Sequence, residues 1–119
     1  MLTHVVLFWA REDLTAADRA DFGAGLQTLL SIPMVRAGWV GTPSDTHRSV
    51  VDRTYAFGLT LRFDDLAGHD AYQVHPIHDA FHERCSRYWR KVAVYDIDDI
   101  DGLPPGLPPG LPPALPPSG

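Results

Sequence analysis

The sequence predicts an α+β domain in which two helices cover one face of a four-stranded antiparallel sheet, in the order β-α-β-β-α-β. Three observations predict it. Four segments are rich in β-branched and aromatic residues or alternate large apolar with small and polar positions, as strands do. Two further segments carry apolar residues at helical spacing. The first and last strands are apolar on both sides, and one helical layer shields only one of them. A second copy, sheet against sheet across a two-fold axis, would cover the other. The predicted class is therefore a ferredoxin-like unit that forms a dimeric α/β barrel.

Each element has its own justification. Leu2–Trp9 reads as a strand, with Leu2, His4, Val6 and Phe8 on one side and Thr3, Val5, Leu7 and Trp9 on the other. Thr15 and Asp18 have the form of a capping box, with the shorter Asp in place of Glu. From there Phe22, Leu26, Leu29 and Leu30 recur at helical spacing up to Pro33. Gly23 and Gly25 inside that helix each cost about 1 kcal/mol relative to Ala. They are either tolerated or leave space for a cavity. Met34–Gly41 is a weaker second strand, followed by a polar connection. Tyr55, Phe57, Leu59, Leu61 and Phe63 then alternate with smaller or polar residues in the clearest strand of the chain. Its small positions, Ala56 and Gly58, are expected to face the barrel and leave a pocket. Asp64 or Asp65 caps a short helix through Tyr72. His75-Pro76 breaks it, because the residue before proline avoids the α region. Pro76 suits the first turn of a new helix reaching to about Lys91. Val92–Ile97 is the last strand.

Charge and composition exclude several function classes. Fifteen acidic residues stand against ten basic ones, a net charge of -5, which disfavours a nucleic-acid backbone as partner. One cysteine, Cys85, permits no internal disulfide, and it is expected to serve packing. No apolar run suits a bilayer, and the N-terminal segment lacks the form of a secretory leader. A cytoplasmic protein with no membrane partner is expected. Eight of the 11 prolines follow Gly102, in GLPPGLPPGLPPALPPSG. The expected division is a domain over 1–101 and a Pro/Gly-rich disordered tail over 102–119, or a docking peptide for a proline-binding module. The acidic run Asp96–Asp101 reads as a solvated edge that discourages sheet extension.

Chemistry concentrates in one stretch. Four of the six histidines, His69, His75, His78 and His82, fall within 14 positions. His78 sits in the first turn after Pro76, and Tyr72 lies just before the break. The bend can therefore bring a phenol and an imidazole to one opening. A neutral imidazole near its ordinary pKa of ~6.5 suits removal of a proton α to a carbonyl. The phenol suits the developing oxyanion. The competing reading has His75 and His78 closing the kink through backbone hydrogen bonds. A metal reading rests on the four-residue spacing of His78 and His82, with Asp79, Glu83 or His75 assisting. It lacks a defined third ligand, and no metal or cofactor is assigned. His69 is expected to fit the helix–sheet interface, and His4 either to hydrogen-bond in the core or to line the pocket. His4, His75, Phe81, Trp89 and Phe22 are the expected pocket residues around the pair.

The residues His4-Val-Val-Leu-Phe8, Ile32-Pro33, Phe63-Asp64-Asp65, Ala71-Tyr72-x-x-His75-Pro76-x-His78 and Val94-Tyr95-Asp96 together resemble the stress-responsive A/B barrel (Dabb) family. The resemblance runs from about residue 1 to 98. It implies a ferredoxin-like homodimer closing a β-barrel. Most members carry no assigned activity. A plant branch, typified by olivetolic acid cyclase, folds linear poly-β-ketones by aldol-type condensation and uses the tyrosine and second histidine of this element. The resemblance therefore implies catalytic roles for Tyr72 and His78 and a pocket-lining role for His4. Gly23 and Gly25 stand where that branch has bulkier residues, which implies a differently shaped pocket. The expected function is a homodimer with a pocket for an acyl or polyketide-like small molecule, acting as a cofactor-independent cyclase-like enzyme through aldol or enolate chemistry. The alternative is a non-catalytic stress-responsive binding or structural dimer.

Overall fold

The computed structural model describes residues 1–104 and 106. Strand β1 (Leu2–Ala10) is followed by helix α1 (Ala16–Thr28) and a 3-10 turn, Leu29–Ser31. Strands β2 (Ala37–Gly41) and β3 (Phe57–Phe63) come next, then helices α2 (Leu66–Gln73) and α3 (Pro76–Cys85), a 3-10 turn at Ser86–Tyr88, and strand β4 (Trp89–Asp98). The four strands form one antiparallel sheet in the order β2-β3-β1-β4. This is the ferredoxin-like α+β architecture expected. No helix among the described residues is long and apolar enough to cross a membrane.

Local chemistry sets the helix starts. The Thr15 hydroxyl accepts from Asp18 N–H, and the Asp18 carboxylate accepts from Thr15 N–H, so the capping box is complete. The Asp65 carboxylate accepts from Gly68 N–H at 2.9 Å and opens α2. α3 opens with Pro76 in its first turn, and the His75 ring accepts from Ile77 N–H at 3.1 Å.

The register sorts the sheet into two faces. Leu2, His4, Val6 and Phe8 of β1 pair with the inward residues of β3 and are all buried under the helices. Phe22, Leu26, Leu29, Ile32, Leu61, Phe63 and Tyr72 complete that core. On the opposite face Trp39, Tyr95 and Ile97 are each more than half exposed. The bare apolar face predicted from the first and last strands is therefore present.

Several boundaries differ from the sequence reading. β2 begins at Ala37 rather than Met34, because the chain is still turning after Pro33. α3 stops at Cys85 rather than near Lys91. Trp89 and Lys91 instead pair with Ala10 and Trp9 of β1, across a bulge, and the Lys91 ammonium lies 4.4 Å from the Trp9 ring centroid. β4 is accordingly longer at both ends than Val92–Ile97. The acidic run is not uniformly solvated: Asp99 pairs with Arg62 and the N-terminal amine, and Asp96 turns to His4. Of the proposed tail over 102–119, all but Gly102, Leu103, Pro104 and Gly106 lies outside the described residues.

Candidate functional site

Strands β1, β3 and β4 and helices α2 and α3 converge on one cavity. The alternation of β1 points His4, Val6 and Phe8 toward the helices, and the β1–β4 register puts Asp96, Val94 and Val92 beside them. The corner between α2 and α3 closes over this strip. α2 ends with the buried Tyr72 and the exposed Gln73, and His78 sits in the first turn of α3. The result is a cavity of about 200 Å³. Its walls are apolar at Val6, Phe8, Leu59, Phe81, Trp89, Val92 and Val94, and its polar groups are His4, Tyr72, Gln73, His78 and His82. Among the described residues no helix covers β4 at the sheet edge, so Val92 and Val94 stay partly exposed and leave the cavity a mouth.

The Tyr72 and His78 rings meet edge to face, their centroids 5.0 Å apart. The His4 ring lies 5.8 Å from Tyr72 on its other side. Among the described residues, neither the Tyr72 hydroxyl nor a ring nitrogen of His78 has a hydrogen-bond partner, although His4, His69 and His75 each have one. Burial pushes the Tyr72 phenol well above its usual range, so it stays an O–H donor at any physiological pH. Burial also lowers the His78 pKa; Asp79 pushes it back up, while His82 and His4 add to the lowering. His78 is thus a neutral imidazole at pH 7. The His4 pKa is lowered first by burial, against the hydrogen bond and charge of Asp96. His4 Nδ1 donates to Asp96 Oδ1 at 2.5 Å. The arrangement can hold a carbonyl compound on apolar walls, offer it an O–H and accept a proton from it.

The structure brings together most, not all, of the expected residues. His4, Tyr72, His78, Phe81 and Trp89 line the cavity. Phe22 does not: it is wholly buried, with ring centroids 5.5 Å from Phe8 and 4.9 Å from Phe57, one layer behind the wall. His75 does not either, because its ring is spent capping α3. The pocket expected on the barrel-facing side is present beside Gly58, about 360 Å³ between Leu7, Trp39, Tyr55 and Thr60, while Ala56 lies outside it. Gly58 sits on the bare face, where a Cβ would meet Leu7 and Tyr55, and Ala56 precedes β3 and donates its N–H to Phe8 O. Gly23 and Gly25 leave no cavity. A Cβ on Gly25 would stand 2.4 Å from Cys85 Sγ, and one on Gly23 3.6 Å from Phe57, so Gly25 serves the close approach of α1 to α3. Sequence reasoning missed Asp96, Gln73, Val92 and Val94. The signal for Asp96 was the pairing of Val6 with Val94, which forces the next inward residue of β4 opposite His4.

For metal, His78 and His82 both reach the cavity wall, but no third donor joins them among the described residues. His4, His69 and Asp96 do form such a group, with ligand atoms within 4.8 Å of one another.

Residues 2–99 match the model of the stress responsive A/B barrel domain. No curated protein matches the sequence. Among solved structures, a Dabb family protein with a ferredoxin-like fold from Mesorhizobium loti superposes with a TM-score of 0.68 at 23% identity, covering 83% of this chain and 96% of that one. A dimeric protein of unknown function and ferredoxin-like fold from Bacteroides fragilis gives 0.67 at 23% identity, over 82% and 95%. The hydroxynitrile lyase from Passiflora edulis gives 0.70 at 18% identity, over 87% and 96%.

Proposed function

The chain belongs to the stress-responsive A/B barrel domain family, and on that premise we propose that it is a homodimeric enzyme of enolate chemistry, in which His78 removes a proton α to a carbonyl and Tyr72 donates to the oxygen that becomes negative. One observation carries the reading: a permanently protonated phenol and a neutral imidazole, both without protein partners among the described residues, meet at 5.0 Å on the wall of an apolar cavity. A structural pair would be hydrogen-bonded to the chain, as His75 is.

The step balances without a cofactor. The C–H electron pair moves into the C–C bond, the carbonyl oxygen takes negative charge beside Tyr72 Oη–H, and His78 holds the proton. The enolate carbon then attacks a second carbonyl, as in an aldol cyclisation, and the His78 proton goes to the new alkoxide. A cavity of about 200 Å³ is below the ~300–1,000 Å³ of drug-sized sites. It favours a small β-dicarbonyl, or the reacting end of a longer acyl chain leaving by the β4 mouth. The lyase of Passiflora edulis supports the view that this fold can carry chemistry. The exposed Trp39, Tyr95 and Ile97 favour a second copy on the bare face, and the dimeric neighbour from Bacteroides fragilis points the same way.

The test is deuterium exchange at the α-carbon of a β-ketoacyl thioester in D2O, followed by NMR. The protein should accelerate exchange. His78→Ala should cost ~10²–10⁴-fold, the usual weight of a general base, with the fold retained by circular dichroism. Wild-type protein that binds the thioester without accelerating exchange would instead support the non-catalytic binding dimer.

A further inference from the structure

Behind Tyr72 the rings of His4 and His69 and the carboxylate of Asp96 converge. The His69 Nδ1–H donates to Asp70 Oδ1 at 3.0 Å, since a carboxylate can only accept. The other ring nitrogen, Nε2, lies 3.2 Å from Gln73 Nε2. Asp96 Oδ2 faces that same Nε2 at 3.8 Å. His4, His69 and Asp96 thus turn donor atoms from three different elements toward one place, all within 4.8 Å of one another. The other Asp96 oxygen already holds His4 Nδ1.

We infer that His4, His69 and Asp96 form a binding site for one divalent transition-metal ion of the zinc class. Two imidazoles and one carboxylate, from β1, α2 and β4, are the donor set such ions prefer over calcium or magnesium. Bond lengths of ~2.0–2.1 Å in tetrahedral geometry set donor separations of roughly 3.3 Å. The observed 2.5 Å and 3.8 Å pairs need only open and close by side-chain rotation. Asp70 on His69 Nδ1 is the outer carboxylate that fixes a metal-bound imidazole. Access comes through the sheet edge: the Asp96 side chain is 40% exposed, while those of His4 and His69 are 4% and 11% exposed. When the ion takes His4 Nδ1, the proton of that neutral ring moves to Nε2. The site shares His4 with the wall of the Tyr72–His78 cavity, so its test reads binding rather than turnover.

Full-length protein without a tag is stripped with chelator and titrated with Co(II) and with Zn(II), read by visible absorption and calorimetry. One ion per chain should bind. Affinity should fall at least tenfold in His69→Gln and in Asp96→Asn. The exposed Asp70→Asn, which leaves all three ligands in place, should weaken binding ~10–100-fold. His82→Gln should leave it unchanged. No saturable binding overturns the proposal. So does binding that survives Asp96→Asn but is lost in His82→Gln, which would place the ion at the cavity histidines.

Discussion

Gly25→Ala separates close helix approach from helix propensity in one residue. An alanine Cβ there would stand 2.4 Å from Cys85 Sγ, with Phe81 Cδ1 at 3.6 Å and Arg84 Cδ at 3.9 Å closing the same gap. Atoms of this size rest at ~3.5–4.0 Å, so α1 and α3 must part by about 1 Å, or Cys85 must leave its fully buried position. Overpacking of this kind costs ~1–3 kcal/mol, and the contact lies at the severe end. Better helix propensity returns about 1 kcal/mol. The net is a loss of roughly 1–2 kcal/mol, or a fall in Tm of about 4–16 °C for a domain of this size. Thermal unfolding at fixed protein concentration, followed by circular dichroism, measures it; concentration is held because a dimer's Tm depends on it. The same substitution in a Cys85→Ala background has no sulfur to meet. There Gly25→Ala should be neutral or raise Tm, reversing the sign. A Tm increase for Gly25→Ala in the wild-type background would refute the steric account.

Further expectations follow from the site. Tyr72→Phe keeps the ring but removes the oxyanion donor, and should slow α-carbon exchange ~10²–10³-fold with little change in thioester binding by calorimetry. Exchange should rise as pH climbs through the lowered pKa of His78, below its ordinary 6.5, and stay flat above it, because Tyr72 does not ionise in that range; an acid limb centred above 6.5 would contradict this. Stability shares that direction. The folded pKa values of His4 and His78 lie below the unfolded value of 6.5, so the unfolded chain binds more protons as pH falls through that window and Tm should drop there. His78→Ala should flatten the slope. Ile97→Asp, placing charge on the bare sheet face, should shift the sedimentation of a dimer to that of a protomer without unfolding it.

The fold was legible because its signals are local and periodic. Two-residue alternation read over Tyr55–Phe63, the Thr15–Asp18 box and the His75-Pro76 break each act within a few residues; the box and the break stand where they were read, and the strand begins two residues later, at Phe57. Apolarity on both sides of Leu2–Trp9 also foretold the bare face correctly. The cavity lining was legible where it follows from helix phase, as for Tyr72, His78 and Phe81. It was not legible where it depends on pairing between distant segments. Asp96 looked like one of six positions in an acidic edge until the β1–β4 register set it opposite His4. Phe22 and Phe81 are alike in composition and spacing. Only the order of packing layers puts one behind the wall and the other on it. Gly25 looked like spare room, yet the neighbour that fills it lies 60 residues away.

The break between α2 and α3 has a geometric result for the pair it joins. On one continuous helix, residues six apart are rotated by roughly 120° around the axis, so Tyr72 and His78 would look in different directions and share no opening. Two axes meeting at His75-Pro76 cancel that rotation and turn both rings onto the same wall. Pro76 thus governs the spacing of two side chains that carry the chemistry in its place. Replacing it with a residue that lets the helices fuse would disassemble the pair while leaving both members in the chain.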